Sequence, residues 1–123
     1  MNVAERAKAT YGQNAARIIS NRAAEHEALA RISHKLRATA ARASVDFAAF
    51  ASALHENVKL WTIFAADVAH SDNHLPIDLR ARIIWLSEFV NIETRKLLKG
   101  EGDIAVLVEI NAAVLMGLRG EEQ

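Results

Sequence analysis

Apolar residues recur at three- and four-residue spacing from Leu54 to Gly120, which is the spacing of one face of an α-helix. A single proline and five glycines leave little of the punctuation that a β-rich fold needs. Alanine, the residue with the highest helix propensity, is abundant. The sequence therefore predicts an all-α protein, a compact bundle of about five helices without a sheet.

The length of 123 residues predicts one domain over 1–123, which is long enough to bury a core of its own. The absence of cysteine excludes disulfides and thiolate metal sites. The N-terminus lacks the apolar segment of a signal peptide, and no apolar run approaches the length of a membrane span. We therefore expect a cytoplasmic protein that does not insert into a membrane.

Capping residues set the predicted helix starts. A first helix near 3–19 has a thin apolar stripe interrupted by Gly12, so we expect it to be mobile or to be ordered only against a partner. The third helix is predicted to run to about Ala69 and the fourth to end before Gly100. Pro76 is the predicted first residue of the fourth helix, and the predicted caps of the second, third and fifth helices are Ser20 or Asn21, Asp46 and Asp103.

Two asparagines interrupt the apolar stripes of the predicted third and fifth helices, Asn57 and Asn111. A buried amide without partners costs about 1–3 kcal/mol, so each needs hydrogen bonds. The favoured interpretation is structural: the two amides bond each other or fix the helix register. The alternative is that they present hydrogen bonds to the backbone of a partner in a groove.

A second apolar facet lies on the predicted fourth helix, away from its inner stripe. Trp85, Phe89 and Ile92 stand four and three residues apart and so lie on neighbouring turns. We predict that they form a groove for an amphipathic partner helix, with Trp61 beneath it. The alternative is that another helix of the same chain, the first included, covers them.

Bases outnumber acids up to Ser44, and acids outnumber bases beyond it. Arg31, Lys35 and Arg42 form a candidate basic face that could contact nucleic acid phosphates. The same helix lacks aromatic residues for base stacking, which disfavours RNA binding. The favoured interpretation is a set of solvated helix faces that attract each other within one fold.

Chemistry-bearing motifs are missing. Ser33 and His34 are adjacent, but adjacent helical residues do not face each other. The acids and histidines between Asp67 and Asp78 match no metal-ligand spacing and are typical of a turn. No phosphate-binding glycine loop and no nucleophile elbow occurs. We expect no enzymatic activity, no metal and no cofactor.

Several short segments, taken together in their order and spacing, form a pattern that covers nearly the whole chain. They are Leu54-His55-x-Asn57-x-x-Leu60-Trp61, Ala65-Ala66-Asp67-Val68, Asn73-x-Leu75-Pro76-x-Asp78-Leu79-Arg80-Ala81-Arg82, Leu86-x-Glu88-Phe89, Arg95-Lys96, Gly100, Glu109-Ile110-Asn111 and Gly117-Leu118-Arg119-Gly120. In these segments the chain resembles the FlaF family of flagellar biosynthesis regulators. A looser match covers Tyr11-Gly12 and the helix from Glu27 to Leu36.

The resemblance implies a small non-enzymatic protein that promotes flagellin production or export alongside the RNA-binding regulator FlbT. Two mechanisms follow from it. In the first, the protein binds a flagellin segment directly, as an export chaperone does. In the second, it is an adaptor that acts with FlbT in post-transcriptional control of flagellin and uses the basic face of the second helix, with RNA contact as an open question.

Overall fold

The computed structural model describes residues 23–70 and 75–121, and within these ranges it contains four helices and no strand. They are α1 (residues 23–40), α2 (Phe47–Ala69), α3 (Ile77–Leu98) and α4 (Ile104–Glu121). The all-α prediction is confirmed. The predicted first helix near 3–19 and the caps Ser20 and Asn21 lie outside the described residues.

Capping explains where α2 begins and ends. The side chain of Asp46 accepts a hydrogen bond from the Ala49 N–H over 3.1 Å, which satisfies one of the free donors of the first turn. At the other end the His70 N–H bonds to the Asp67 carbonyl and closes the last turn. The predicted bounds of this helix are therefore confirmed.

The predicted start of α3 is wrong by one residue. Pro76 is the cap residue and not the first helical residue, and its carbonyl accepts from the Arg80 N–H over 3.0 Å. The Arg80 guanidinium then donates to the carbonyls of Val68 and His70, over 2.8 and 2.7 Å. A cation at the last carbonyls of α2 is electrostatically favourable and ties the start of α3 to the end of α2.

A tight turn reverses the chain between α3 and α4. Gly100 has φ +78°, a conformation that residues with a side chain rarely adopt, and its N–H bonds to the Leu97 carbonyl. Asp103 then caps α4 as predicted, because its Oδ1 accepts from the Ala105 N–H over 2.9 Å. Glu93, which is buried near the end of α3, accepts from the Asp103 N–H over 2.8 Å.

The core lies between the inner faces of the helices. α2 packs against α3, and α3 packs against α4. α1 is held to α2 by apolar packing and by an ion pair between Lys35 and Glu56. Burial of large apolar side chains supplies most of the stabilisation. The largest fully buried apolar residues are Leu29, Leu36, Leu54, Trp61, Val90, Leu107 and Val114. No helix in the described ranges is long and apolar enough to cross a membrane.

The cap of α2 gives a testable prediction. Asp46→Ala should lower the free energy of unfolding by about 1 kcal/mol, because the Ala49 N–H loses its acceptor. Asp46→Asn should stay close to the wild type, since asparagine caps equally well. Urea unfolding followed by circular dichroism measures both. Equal losses for the two variants would show that the cap is not the source of the effect.

Candidate partner-binding surface and the polar core beneath it

Both asparagines lie inside the protein, each with 0% of its surface exposed. Asn111 Oδ1 accepts from the Trp61 indole N–H over 2.8 Å. Asn111 Nδ2 donates to Asn57 Oδ1 over 2.9 Å and to Ser33 Oγ over 3.0 Å. The side chain of Asn111, from α4, thus joins α1 and α2 in one buried network.

The network ends on backbone at one side and is incomplete at the other. The Ser33 hydroxyl donates to the Leu29 carbonyl over 2.8 Å, so it acts as donor and acceptor at once. Asn57 Nδ2 has no hydrogen-bond partner among the described residues. Asn111 therefore carries more of the hydrogen bonding than Asn57, although the two are equally buried.

Trp61 lies in the core, below the surface and not among its exposed residues. It lies one turn after Asn57 on the inner face of α2, and only 1% of it is exposed. Its ring packs edge-on against Phe64, with the centroids 5.9 Å apart. Its N–H is bonded to Asn111, so Trp61 has a structural role, and it also lines a small groove between α2 and α3 together with Ser87 and Asn91.

The remaining three residues of the predicted surface lie together on the outside of α3. Trp85 is 61% exposed, and Phe89 and Ile92 are each 42% exposed. The Trp85 and Phe89 rings are tilted against each other, with centroids 4.5 Å apart. We call Trp85, Phe89 and Ile92 the α3 outer face. No helix in the described part of the chain covers it completely. The predicted first helix near 3–19, which is the other candidate cover, lies outside the described residues.

The apolar character of α3 extends beyond the three residues that sequence reasoning selected. Ile77, Ile84 and Leu98 are also exposed on this helix. Ile83, Val90 and Leu97 face the core at the same time. A surface helix that exposes several large apolar side chains among its charged ones presents a patch of the kind that binds another molecule.

A groove runs beside the α3 outer face, between α2 and α3, with a volume of about 350 Å³. Its apolar lining includes Ala51, Val58 and Leu98, and its polar lining includes Asn91 and Arg95. A groove of this composition can accept an apolar side chain and hydrogen bond to a polar one. The periodicity of α2 gave no sign of it, because it forms only where the two helices pack.

The candidate basic face is less cationic than its sequence indicates. Lys35 Nζ lies 2.8 Å from Glu56 Oε1, and both side chains are nearly half exposed. Arg31 and Arg42 are exposed and make no ion pair with any described residue. The structure therefore leaves two of the three predicted cations free on this face.

The polar loop after α2 supplies no metal site that the structure describes. Asp72 and His74 fall outside the described residues. Among the described residues, no group of three or more histidines and acids is close enough to hold a metal ion.

The fold and this surface define a class: a small all-α protein with a buried polar network and an exposed apolar helix face. A family model described as flagellar protein FlaF matches residues 7–118, nearly the whole chain. The chain belongs to the FlaF family of flagellar proteins. No curated protein and no solved structure matches the chain.

The hydrogen-bond network predicts an unequal pair of substitutions. Asn111→Ala should lower the free energy of unfolding by about 3 kcal/mol, since it leaves the indole N–H of Trp61 and the side-chain oxygen Oδ1 of Asn57 buried without partners. Asn57→Ala should cost about 1–2 kcal/mol, because Asn111 Nδ2 keeps Ser33 as an acceptor. Denaturant unfolding followed by circular dichroism measures both.

The two variants control for each other. Each truncates the same side chain at a fully buried helical position, so the lost volume and the gain in helix propensity are equal. Equal costs, or a larger cost for Asn57→Ala, would contradict the assigned network.

Proposed function

We propose that this FlaF-family protein promotes flagellin production or export by binding flagellin as a chaperone-like partner. The observation that carries the proposal is the α3 outer face, which holds two adjacent aromatic rings and an isoleucine in contact with water. Exposed apolar patches of this kind are typical of protein-binding surfaces. The role requires no catalytic group, no cofactor and no metal, and it is carried out in the cytoplasm.

The composition of the surface suits a protein ligand. Tryptophan is enriched among the residues that dominate binding energy at interfaces, and its ring buries a large area when a partner covers it. Trp85 is the most exposed member of the α3 outer face and therefore has the most surface to bury. Phe89 lies against it and fixes one side of the indole ring. We assign Trp85 as the main anchor.

The shape of the surface suits an amphipathic helix. The termini of flagellin are amphipathic helices that need shielding before export, and a helix of this kind binds by laying its apolar stripe along a groove. The α3 outer face supplies one wall of such a site, and the groove between α2 and α3 receives side chains beside it. Arg95 and Asn91 at this groove offer polar contacts at the rim.

The alternative role, an adaptor that acts with FlbT and contacts RNA through the basic face, receives less support. Lys35 is paired with Glu56, and the adjacent groove between α1 and α2 combines aliphatic residues with Arg31, Lys59 and Glu56, so its cations are interrupted by an acid and by apolar side chains. RNA-binding surfaces usually combine free cations with aromatic rings. Of the exposed aromatic rings in the described residues, Trp85 and Phe89 lie on α3, and Phe47 alone lies at the start of α2, near Arg42 in the sequence.

Binding to purified monomeric flagellin tests the proposal. Trp85→Ala should raise the dissociation constant for flagellin at least about tenfold, because the anchor is lost. The free energy of unfolding should change little, since the side chain is mostly exposed. Isothermal titration calorimetry with the full chain, together with urea unfolding, measures both quantities.

Ile63→Ala is the matched control, since Ile63 is an exposed apolar residue on α2 and outside the α3 outer face. It should bind flagellin like the wild type. No detectable binding of flagellin by the wild type, or equal weakening by the two variants, would refute the assignment. Binding to FlbT or to flagellin message in place of flagellin would favour the adaptor role.

A further inference from the structure

The exposed side of α3 carries a longer pattern than its three apolar residues. The residues Asp78, Arg82, Trp85, Phe89, Ile92 and Lys96 follow one another at alternating spacings of four and three. All six are exposed. Alternating spacings of four and three place residues along one straight seam of a helix, which is the arrangement that pairs helices in coiled coils. The seam is about 27 Å long at 1.5 Å per residue.

The two ends of this seam carry opposite charges. The acid Asp78 lies in the first turn of α3, and the base Lys96 lies in the last. A second base, Arg82, and the three apolar residues lie between them. Neither charged side chain makes an ion pair with any described residue, so both are available to a partner.

Such an order is complementary to itself when two copies of the helix run antiparallel. A two-fold axis near position 87 places Trp85 of one copy opposite Phe89 of the other and Asp78 opposite Lys96. Ile92 then lies opposite the aliphatic stem of Arg82, which long basic side chains present to apolar surface. Each contact occurs twice, as in any isologous interface. A parallel arrangement would place like charges opposite each other at both ends.

We propose that two copies of this chain associate through the α3 outer face, with their α3 helices antiparallel around this axis. The net charge of the chain is zero at pH 7, so no overall repulsion opposes the approach of a second copy. The dimer removes the Trp85–Phe89 pair of each copy from water, and burial of this apolar surface stabilises the dimer. Because each copy contributes only one helix, the interface is small. We therefore expect moderate affinity, with monomer present at low protein concentration.

The dimer has a consequence for binding, and this consequence rests on the proposed function. The same residues cannot contact a second copy and flagellin at once. Flagellin therefore competes with the dimer, and the protein keeps its apolar face covered until flagellin is present. Dilution or flagellin should convert dimer to monomer or to the flagellin complex.

Charge reversal tests the pairing on the full chain. Sedimentation equilibrium over a range of protein concentrations gives the dimer dissociation constant. Asp78→Lys and Lys96→Asp should each raise this constant at least about tenfold, because each brings like charges together at both ends of the seam. The double variant Asp78→Lys/Lys96→Asp should return it to within about threefold of the wild type.

Glu109→Lys is the matched control, because Glu109 is an exposed acid on α4 and outside the seam. It should leave the dimer unchanged, and circular dichroism verifies that every variant folds. A wild type that stays monomeric at millimolar concentration would overturn the pairing. The pairing would also be overturned if the single variants left the dimer dissociation constant unchanged, or if the double variant did not lower it relative to the single variants. The same holds if Glu109→Lys raised it as much as they do.

A titration with purified flagellin separates the two proposals. A dimer that does not bind flagellin leaves the pairing intact and refutes the proposed function. A monomer that binds flagellin through Trp85 refutes the pairing and leaves the proposed function intact. If both hold, adding flagellin should dissociate the dimer.

Discussion

The amide of Asn111 is the contact on which the rest of the structure depends. It receives the indole N–H of Trp61 and donates to Asn57 and to Ser33, so one side chain of α4 connects α1 and α2 inside the core. Apolar packing alone tolerates sliding of helices past each other, whereas a buried hydrogen-bond network has one register in which its donors find acceptors. The network therefore fixes the register of α1, α2 and α4 relative to one another.

α3 is held in place by other contacts, and these leave its outer side exposed. α3 contributes no side chain to the Asn111 network and is fastened by apolar contacts and by its two ends. Near its start Arg80 binds the last carbonyls of α2, and near its end Glu93 accepts from the backbone before α4. Its inner face completes the core, and Trp85 and Phe89 remain on the outside. A rigid scaffold that displays an apolar helix is suited to binding another amphipathic helix.

Local rules predicted much of this fold from the sequence. Asp46 and Asp103 could be identified as caps because capping depends on residues within one turn. Asn57 and Asn111 could be placed on inner faces from helical periodicity, but whether they bond each other depends on how the helices pack. The same limit applies to Trp61, since spacing along one helix does not show that its indole N–H bonds to Asn111 on α4. Ser33 and Glu93 were missed because a polar residue in a helix usually faces water, and only packing makes these two buried partners.

The two tryptophans allow one direct test of where a partner binds. The indole N–H of Trp61 is buried and bonded to Asn111, and that of Trp85 lies on the surface, so the two give separate signals in a proton–nitrogen correlation spectrum. On titration with flagellin, the Trp85 signal should shift or broaden together with the backbone amides of α3, and the Trp61 signal should stay in place. Perturbation confined to α1 and the start of α2, with the Trp85 signal unchanged, would contradict binding through the α3 outer face.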